Sequence, residues 1–200
     1  MRKVRLNTFL TLDGVMQGPG GADEDLEGGF AHGGWQMPYF DEVGGSVVEE
    51  GITTSGGFLL GRKTYDIFAA YWPQAADDDM AAAINGLPKY VASTTLQEPL
   101  EWNNSTLLKG DIAEEVNKLK QEPGKDLDVI GSGSFAQTLM KHDLVDEYRL
   151  MIHPIVLGTG KRLFDGGLPI RALELVDTKT TSTGVLILTY RPADKAGDGR

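Results

Sequence analysis

The sequence predicts an α/β fold: a mostly parallel central sheet, flanking helices and an antiparallel C-terminal edge. Three observations predict it. Short apolar runs of strand length alternate with helical patterns from Val4 to His142, the signature of strands joined by crossover helices. Two glycine-marked strand-to-helix turns lie about seventy residues apart, Phe58-Leu59-Leu60-Gly61-Arg62-Lys63-Thr64-Tyr65 and Asp128-Val129-Ile130-Gly131-Ser132-Gly133-Ser134-Phe135. The chain then closes with a long strand and a hairpin turning at Thr183-Gly184, and a hairpin makes its strands antiparallel.

Each element has its own signal. Val4 to Leu12 reads as a buried strand closed by Asp13-Gly14, because Asp bonds its own backbone and Gly accepts positive φ. Residues 17–35 form a polar loop with seven glycines, the acidic run Asp23, Glu24, Asp25 and Glu27, and finally Trp35. A loop this long in a compact domain is either functional or disordered. Pro38 stands near the start of a helix over Tyr39–Thr53, where proline is tolerated. Phe58–Leu60 is the next strand and Lys63–Tyr71 its helix; Asp77–Asn85 is a short helix with three aspartates in its first turn, where the helix dipole favours acids. Lys89–Ala92 is a strand ending at Ser93-Thr94, Ser105–Leu108 is a short strand, and Asp111 caps a helix through Gln121. Leu127–Ile130 is a strand, Ser134–His142 a helix, and Leu144–Leu157, interrupted by Pro154, a long strand. Leu173–Thr181 and Val185–Arg191 form the hairpin. Residues 1–191 make one domain, and Pro192 to Arg200 is a polar tail expected to be disordered.

Composition narrows the function. Two hundred residues, 40% of them hydrophobic, can bury one substantial core. A formal net charge of −10 argues against nucleic acid as a partner, since no region concentrates Lys and Arg. With no cysteine there are no disulfides, thiolate metal sites or thiol nucleophiles, and the chain suits a reducing cytoplasm. Met1 to Leu6 could mimic a basic signal region, but Asn7, Thr11 and Asp13 break the apolar stretch that should follow. No run reaches the ~20 apolar residues of a membrane span.

The glycine turns carry the chemistry. Such turns aim backbone N–H groups and a helix's positive end at phosphates. Gly61 permits the turn, Thr64 offers a hydroxyl, and Arg62 and Lys63 are two adjacent cations in an acidic chain. Arg62 presents a planar fork suited to a terminal phosphate such as the 2′-phosphate of NADP. Ser93 and Thr94 add hydroxyls past the next strand, and no acid stands ready for a ribose, so NADPH is favoured over NADH. The competing reading makes Arg62 and Lys63 solvated helix-start cations and Ser93 and Thr94 loop caps. Gly131-Ser132-Gly133-Ser134 is a second cradle, for a pyrophosphate, although Ala136 replaces the third glycine of the full motif.

Gly61-Arg62-Lys63-Thr64-Tyr65 with Val129-Ile130-Gly131-Ser132-Gly133 resembles dihydrofolate reductase. Leu144-Val145-Asp146-Glu147-Tyr148, His153-Pro154 and Leu157-Gly158-Thr159-Gly160 resemble a related branch, the reductase domain of bifunctional riboflavin-biosynthesis deaminase-reductases and its stand-alone bacterial relatives. The likeness runs from about residue 2 to 191. It implies the dihydrofolate-reductase-like fold, NADPH as cofactor, a small planar heterocyclic substrate and a homodimer formed through the C-terminal strands. By that likeness Arg62 and Lys63 meet the 2′-phosphate, Thr64 with Gly131, Ser132, Gly133, Ser134 and Phe135 meets the pyrophosphate, and Gly61 and Ile130 also belong to the cofactor site. Ser93 and Thr94 lie by the adenosine, and Val15 and Met16 near the nicotinamide.

The expected substrate acid is missing. The reductase pattern runs Trp, then Pro three residues later, then the acid two residues on; here Trp35 and Pro38 are followed by Phe40. Asp41 and Glu42 come next, but a helix turns about 100° per residue, so neither faces where Phe40 does. Asp41, after a one-residue bulge, and Asp13, at the first strand's end, are the candidate catalytic carboxylates. Each also has an ordinary role, Asp41 in a helix's first turn and Asp13 in its Asp-Gly turn. Thr8, Trp35 and Phe40 are candidate substrate-pocket residues; Asn7 and Thr8 alternate, so only one faces the pocket. His32, His142 and His153 show no ligand spacing, so no metal is expected.

Overall fold

The computed structural model describes residues 1–75 and 79–193. Eight strands, β1 (Val4–Thr11), β2 (Phe58–Gly61), β3 (Lys89–Ala92), β4 (Ser105–Leu108), β5 (Leu127–Ile130), β6 (Glu147–His153), β7 (Leu173–Thr180) and β8 (Leu186–Pro192), form one sheet. Five helices are α1 (Glu42–Thr53), α2 (Arg62–Tyr71), α3 (Asp79–Gly86), α4 (Ile112–Gln121) and α5 (Gly133–Lys141). The strand order is β4-β3-β2-β5-β1-β6-β8-β7. β1 to β6 run parallel, and β8 is antiparallel to both β6 and β7. This is the α/β, dihydrofolate-reductase-like arrangement expected, with its antiparallel C-terminal edge.

Strand order decides where the helices go. Crossovers are right-handed, so connections stepping one way across the sheet put helices on one face and those stepping back use the other. α1, α2 and α3 accompany the steps from β1 to β2 to β3, while α4 and α5 accompany the return to β5 and β6. The core divides accordingly. Val4, Leu6 and Leu10 of β1 pack with Val116, Leu119, Phe135, Ala136 and Leu139 of α4 and α5. Ile52, Tyr65 and Ile84 of α1–α3 pack over Phe58, Leu60 and Val91. Arg5, Asn7 and Phe9 alternate with the first set and face α1, where Phe9 meets Val47 and Val48.

Several boundaries differ from expectation. The helix expected from Tyr39 is a short 3-10 turn over Met37–Tyr39, a break at Phe40, and α1 from Glu42. Asp41 makes the break: it is extended (φ −131, ψ 178) and its carboxylate accepts the Gly44 N–H at 2.9 Å. The long strand expected over Leu144–Leu157 is only Glu147–His153, because 144–146 turn the chain in and Pro154 ends the ladder. The third helix begins at Asp79, and Asp77 lies outside the described residues. Pro192 ends β8 rather than opening a tail, of which 194–200 lie outside the described residues. The loop of residues 17–35 is ordered by a 3-10 turn at Glu27–Gly29 and by buried Phe30 and Trp35. No described helix is long and apolar enough to cross a membrane.

Candidate functional site

β2 and β5 are neighbours, but the chain leaves β2 toward β3 and leaves β5 toward β6. The loops after them therefore diverge and open a crevice at the strand C-termini, the place where α/β sheets bind ligands. The two glycine turns meet there. Ser132 sits in the left-handed region (φ 58), and its hydroxyl, instead of capping α5, accepts the Gly61 N–H at 2.9 Å and donates to Ile130 O at 3.1 Å. In return, Thr64 Oγ1 accepts the Ser132 N–H at 3.1 Å. Neither helix has a side-chain cap at its start, Gly61 having no side chain to offer and Ser132 using its hydroxyl elsewhere, and such a start has N–H groups free to suit an anion.

The crevice is close-walled. A Cβ on Gly61 would lie 3.3 Å from that of Phe135, and one on Gly133 would lie 2.9 Å from the Met16 sulfur. Met16, buried, thus walls the α5 side, while Val15, also buried, packs with Phe30 and Trp35 and bridges to Arg162. This donor set, of N–H groups, hydroxyls and glycines, suits a pyrophosphate.

The adjacent cations part company. Arg62 turns toward the exit of β3, where it donates to the Thr95 hydroxyl and pairs with Asp66 at 3.1 Å. Ser93 caps that exit, accepting from Thr95 N at 3.2 Å and Leu96 N at 3.1 Å, and Thr94 is exposed. Lys63 turns the other way, to Asp25 and Glu27 of the 17–35 loop at 2.6 and 2.7 Å. One phosphate shared by Arg62 and Lys63 is not what this geometry offers, because consecutive helical residues point about 100° apart.

Neither candidate acid is free. Asp13 Oδ1 accepts from Thr11 Oγ1 at 2.6 Å and Leu157 N at 3.2 Å, and Oδ2 from Gly158 N at 2.8 Å. The Thr11 bond first, and then those backbone bonds, overcome partial burial and hold its pKa at about 2. Asp41 accepts from Ser182 N and Oγ at 2.8 and 2.7 Å besides capping α1, and these bonds lower its pKa. Both are ionised at neutral pH and tie segments together; no bulge carries Asp41 inward. Glu42 is exposed.

Two pocket expectations also need correction. Phe40 is exposed, its ring against the outer side of Gly45, because the break before α1 swings it outward. Thr8 is buried on the Leu6 and Leu10 face, away from the aromatic group. That group lies on the opposite face: His153 is ringed edge-on by Phe9, Trp35 and Tyr39 at centroid distances of 5.8, 5.1 and 6.0 Å. Trp35 is buried and donates to Gln17 O at 2.7 Å, anchoring the loop to the core.

A family model for the RibD C-terminal domain matches residues 2–187. The chain belongs to this family. Its relatives include YyaP of Bacillus subtilis (strain 168), 35% identical over 193 residues and 94% of each chain, and YwjB of the same strain, 24% identical over 164 residues, 82% of this chain and 83% of YwjB. Both relatives are uncharacterized. In fold it is similar to a Shewanella sp. PV-4 protein assigned to riboflavin biosynthesis (TM-score 0.67, 21% identity, 97% of this chain and 100% of the other). A pyrimidine reductase-like protein of Corynebacterium diphtheriae superposes similarly (TM-score 0.64, 11% identity, 96% and 92% covered).

Within this RibD-type domain, Thr95 and Lys161 escaped sequence reasoning, and Asn7 and His153 were named there without being given a role. Thr95 receives Arg62, and Lys161 joins Lys63 on the acidic turn. Asn7 shares the face of Phe9, its amide donating to Asp128 at 2.8 Å beside the buried Arg5–Asp128 pair. His153 places Nδ1 against the Met151 and Leu10 carbonyls at 2.9 and 3.2 Å. Carbonyls only accept, so Nδ1 carries the proton; burial keeps the ring's pKa below its ordinary value and the ring neutral at pH 7. Strand alternation from Leu6 and Leu10 could have found Asn7 and Phe9; Lys161 had no local signal. Gln36, beside Trp35, buries Oε1 without a partner among the described residues, an acceptor left for a donor from elsewhere. No described group of three or more His, Asp or Glu residues could hold a metal ion.

Proposed function

We propose that the protein is an NADPH-dependent reductase acting on a small planar heterocycle, pterin-like or a pyrimidine of the riboflavin type. The observation that carries this reading is the pair of uncapped helix starts, α2 and α5, stitched together through Ser132 at the sheet's switch point. Membership of the RibD C-terminal domain family supports the reaction class. The Gly61–Thr64 and Gly131–Phe135 segments would hold the pyrophosphate. Arg62 with the Ser93–Thr95 turn would hold the 2′-phosphate, and Val15 and Met16 would flank the nicotinamide.

NADPH, when bound, supplies the hydride. The chain's own work is to position and to exclude water. Buried Val15, Met16 and Trp35 give the crevice a dry wall, and the 17–35 loop covers it as a lid. A planar substrate would lie toward the Asn7, Phe9 and His153 face. Asp13 and Asp41 are ionised at neutral pH and would not supply the proton that completes the reduction. Dihydrofolate is a poor fit, since the position of its expected acid is Phe40, turned outward. The exposed β7–β8 edge, with Leu175, Val176 and Leu186 half uncovered, supports a homodimer through these strands, and a site of action in the cytoplasm completes the proposal.

A second reading has one specific observation in its favour: both candidate acids serve as structural clamps. On it, the protein binds NADPH without catalysis. Fluorescence titration with NADPH and NADH, followed by adding dihydrofolate or a 5-amino-6-ribosylaminouracil-type substrate to the NADPH complex, separates the readings. NADPH-selective binding with turnover of either substrate supports the reductase. Selective binding with no turnover of either supports the binder, and no binding of either nucleotide refutes both.

A further inference from the structure

The acidic turn of the 17–35 loop is bound like a ligand. Glu27 Oε2 accepts from Lys63 Nζ at 2.7 Å and from Lys161 Nζ at 2.6 Å, and the two oxygens of Asp25 divide between the same lysines at 2.6 and 2.8 Å. Two ammonium groups converging on one oxygen is an arrangement suited to a phosphoryl oxygen. The location agrees. Lys63 is the second residue of α2, and Lys161 O accepts the N–H of Met16, the residue packed on Gly133 at the start of α5. The pair therefore flanks the crevice from both sides.

We propose that Asp25 and Glu27 form an internal anionic plug: their carboxylates occupy a Lys63–Lys161 phosphate clamp and must swing away before a pyrophosphate-bearing ligand enters. This rests on the reading of the crevice as a cofactor site and adds Lys161 to it. The plug is built to leave. The Glu27 side chain is 64% exposed and both lysines are nearly half exposed, so its two ion pairs are screened and weak; the Asp25 side chain, 11% exposed, is held more firmly. The backbone of the turn is held separately, since the amide of Gln17 donates to Asp25 O and Glu27 O at 3.2 and 3.0 Å. The Glu27 carboxylate can thus release first while the turn keeps its place, and Asp25 follows by giving up its bond to the Glu27 N–H. The plug also gives the apo protein a reason to keep two lysines together at the crevice, because like charges this close repel unless an anion sits between them.

Inorganic pyrophosphate is the probe. Calorimetric titration of the full chain should show Asp25→Asn/Glu27→Gln binding it about three- to tenfold more tightly than wild type, from the loss of competing exposed pairs. Lys161→Met should bind it about fivefold more weakly. Asn retains the oxygen that accepts the Glu27 N–H, and melting curves check that the fold survives. Unchanged or weaker binding by the folded double variant, or no pyrophosphate binding by any form, overturns the plug; so does unaltered affinity in Lys161→Met. If the pyrophosphate pattern holds while NADPH fails to bind, the cofactor reading falls and the plug stands. If NADPH binds selectively but the plug variants match wild type, the plug alone falls.

Discussion

Arg62→Ala separates a phosphate grip from a solvated surface cation. The guanidinium leans on Thr95 at the exit of β3 and on Asp66 one turn along α2. A charge-assisted hydrogen bond to a phosphate is worth about 1.5–3 kcal/mol. The Arg62 side chain is 48% exposed, so screening places the loss at the lower end, about 1–2 kcal/mol, or about 5- to 30-fold in NADPH affinity. NADH carries no 2′-phosphate, and its affinity should change by less than about twofold. Stability should barely move, because the Asp66 carboxylate and the Thr95 hydroxyl lie in solvent and an exposed i,i+4 pair contributes only about 0.3–0.5 kcal/mol. Paired fluorescence titrations with the two nucleotides and a thermal melt test all of this. Equal losses for NADPH and NADH would refute the 2′-phosphate assignment; a large drop in melting temperature would show that Arg62 serves the fold instead.

Three further outcomes follow from the packing and the charges. Asp128→Ala leaves Arg5 buried without the carboxylate it meets at 2.5 and 2.9 Å; a stability loss of about 3–5 kcal/mol in urea unfolding is expected. Gly160→Ala puts a Cβ 2.7 Å from Val15 and 2.9 Å from Phe30 at φ +116, which should cost about 3 kcal/mol and loosen the 17–35 loop in limited proteolysis. The pH profile of unfolding should fall in two stages. His153, held by burial below its ordinary 6.5, binds a proton more readily unfolded, so stability drops as pH falls below about 6.5. Asp13 and Asp25, each at about 2 when folded, contribute stability above about 4 that is lost as pH falls toward 2. His153→Phe should remove the first stage and leave the second.

Much of the fold was legible because its signals are local. β3, β4 and β5 lie where apolar runs of strand length placed them, and Asp111 caps α4 through the Glu114 N–H at 3.1 Å, as an aspartate before a helical pattern should. Two of the misplaced boundaries share a cause: a distant partner competes with local preference. Asp41 breaks the expected Tyr39 helix because it must cap α1 and also hold Ser182, 141 residues away. The expected strand over Leu144–Leu157 is shortened at its start, where Asp146 accepts from Lys120 and from Val4 N, an obligation that no periodicity reveals.

The site divides along the same line. Gly61, Thr64 and Ser132 were legible because a glycine-marked strand-to-helix turn has few backbone solutions, and two such turns on neighbouring parallel strands must meet at the C-terminal edge. Charge was not legible in this way. Arg62 and Lys63 look like one cationic patch when read along the chain, yet one helical step sends them to opposite sides of the crevice. Lys63 then finds its companion 98 residues away in Lys161, on two acids of the loop's acidic run whose partners no local pattern reveals. Backbone geometry propagates through short segments and can be read from them, whereas an electrostatic site is assembled from whichever loops the sheet order brings together. For this RibD-type domain the meeting of the two glycine turns was therefore visible in the sequence, and the pairing of Lys63 and Lys161 with Asp25 and Glu27 was not.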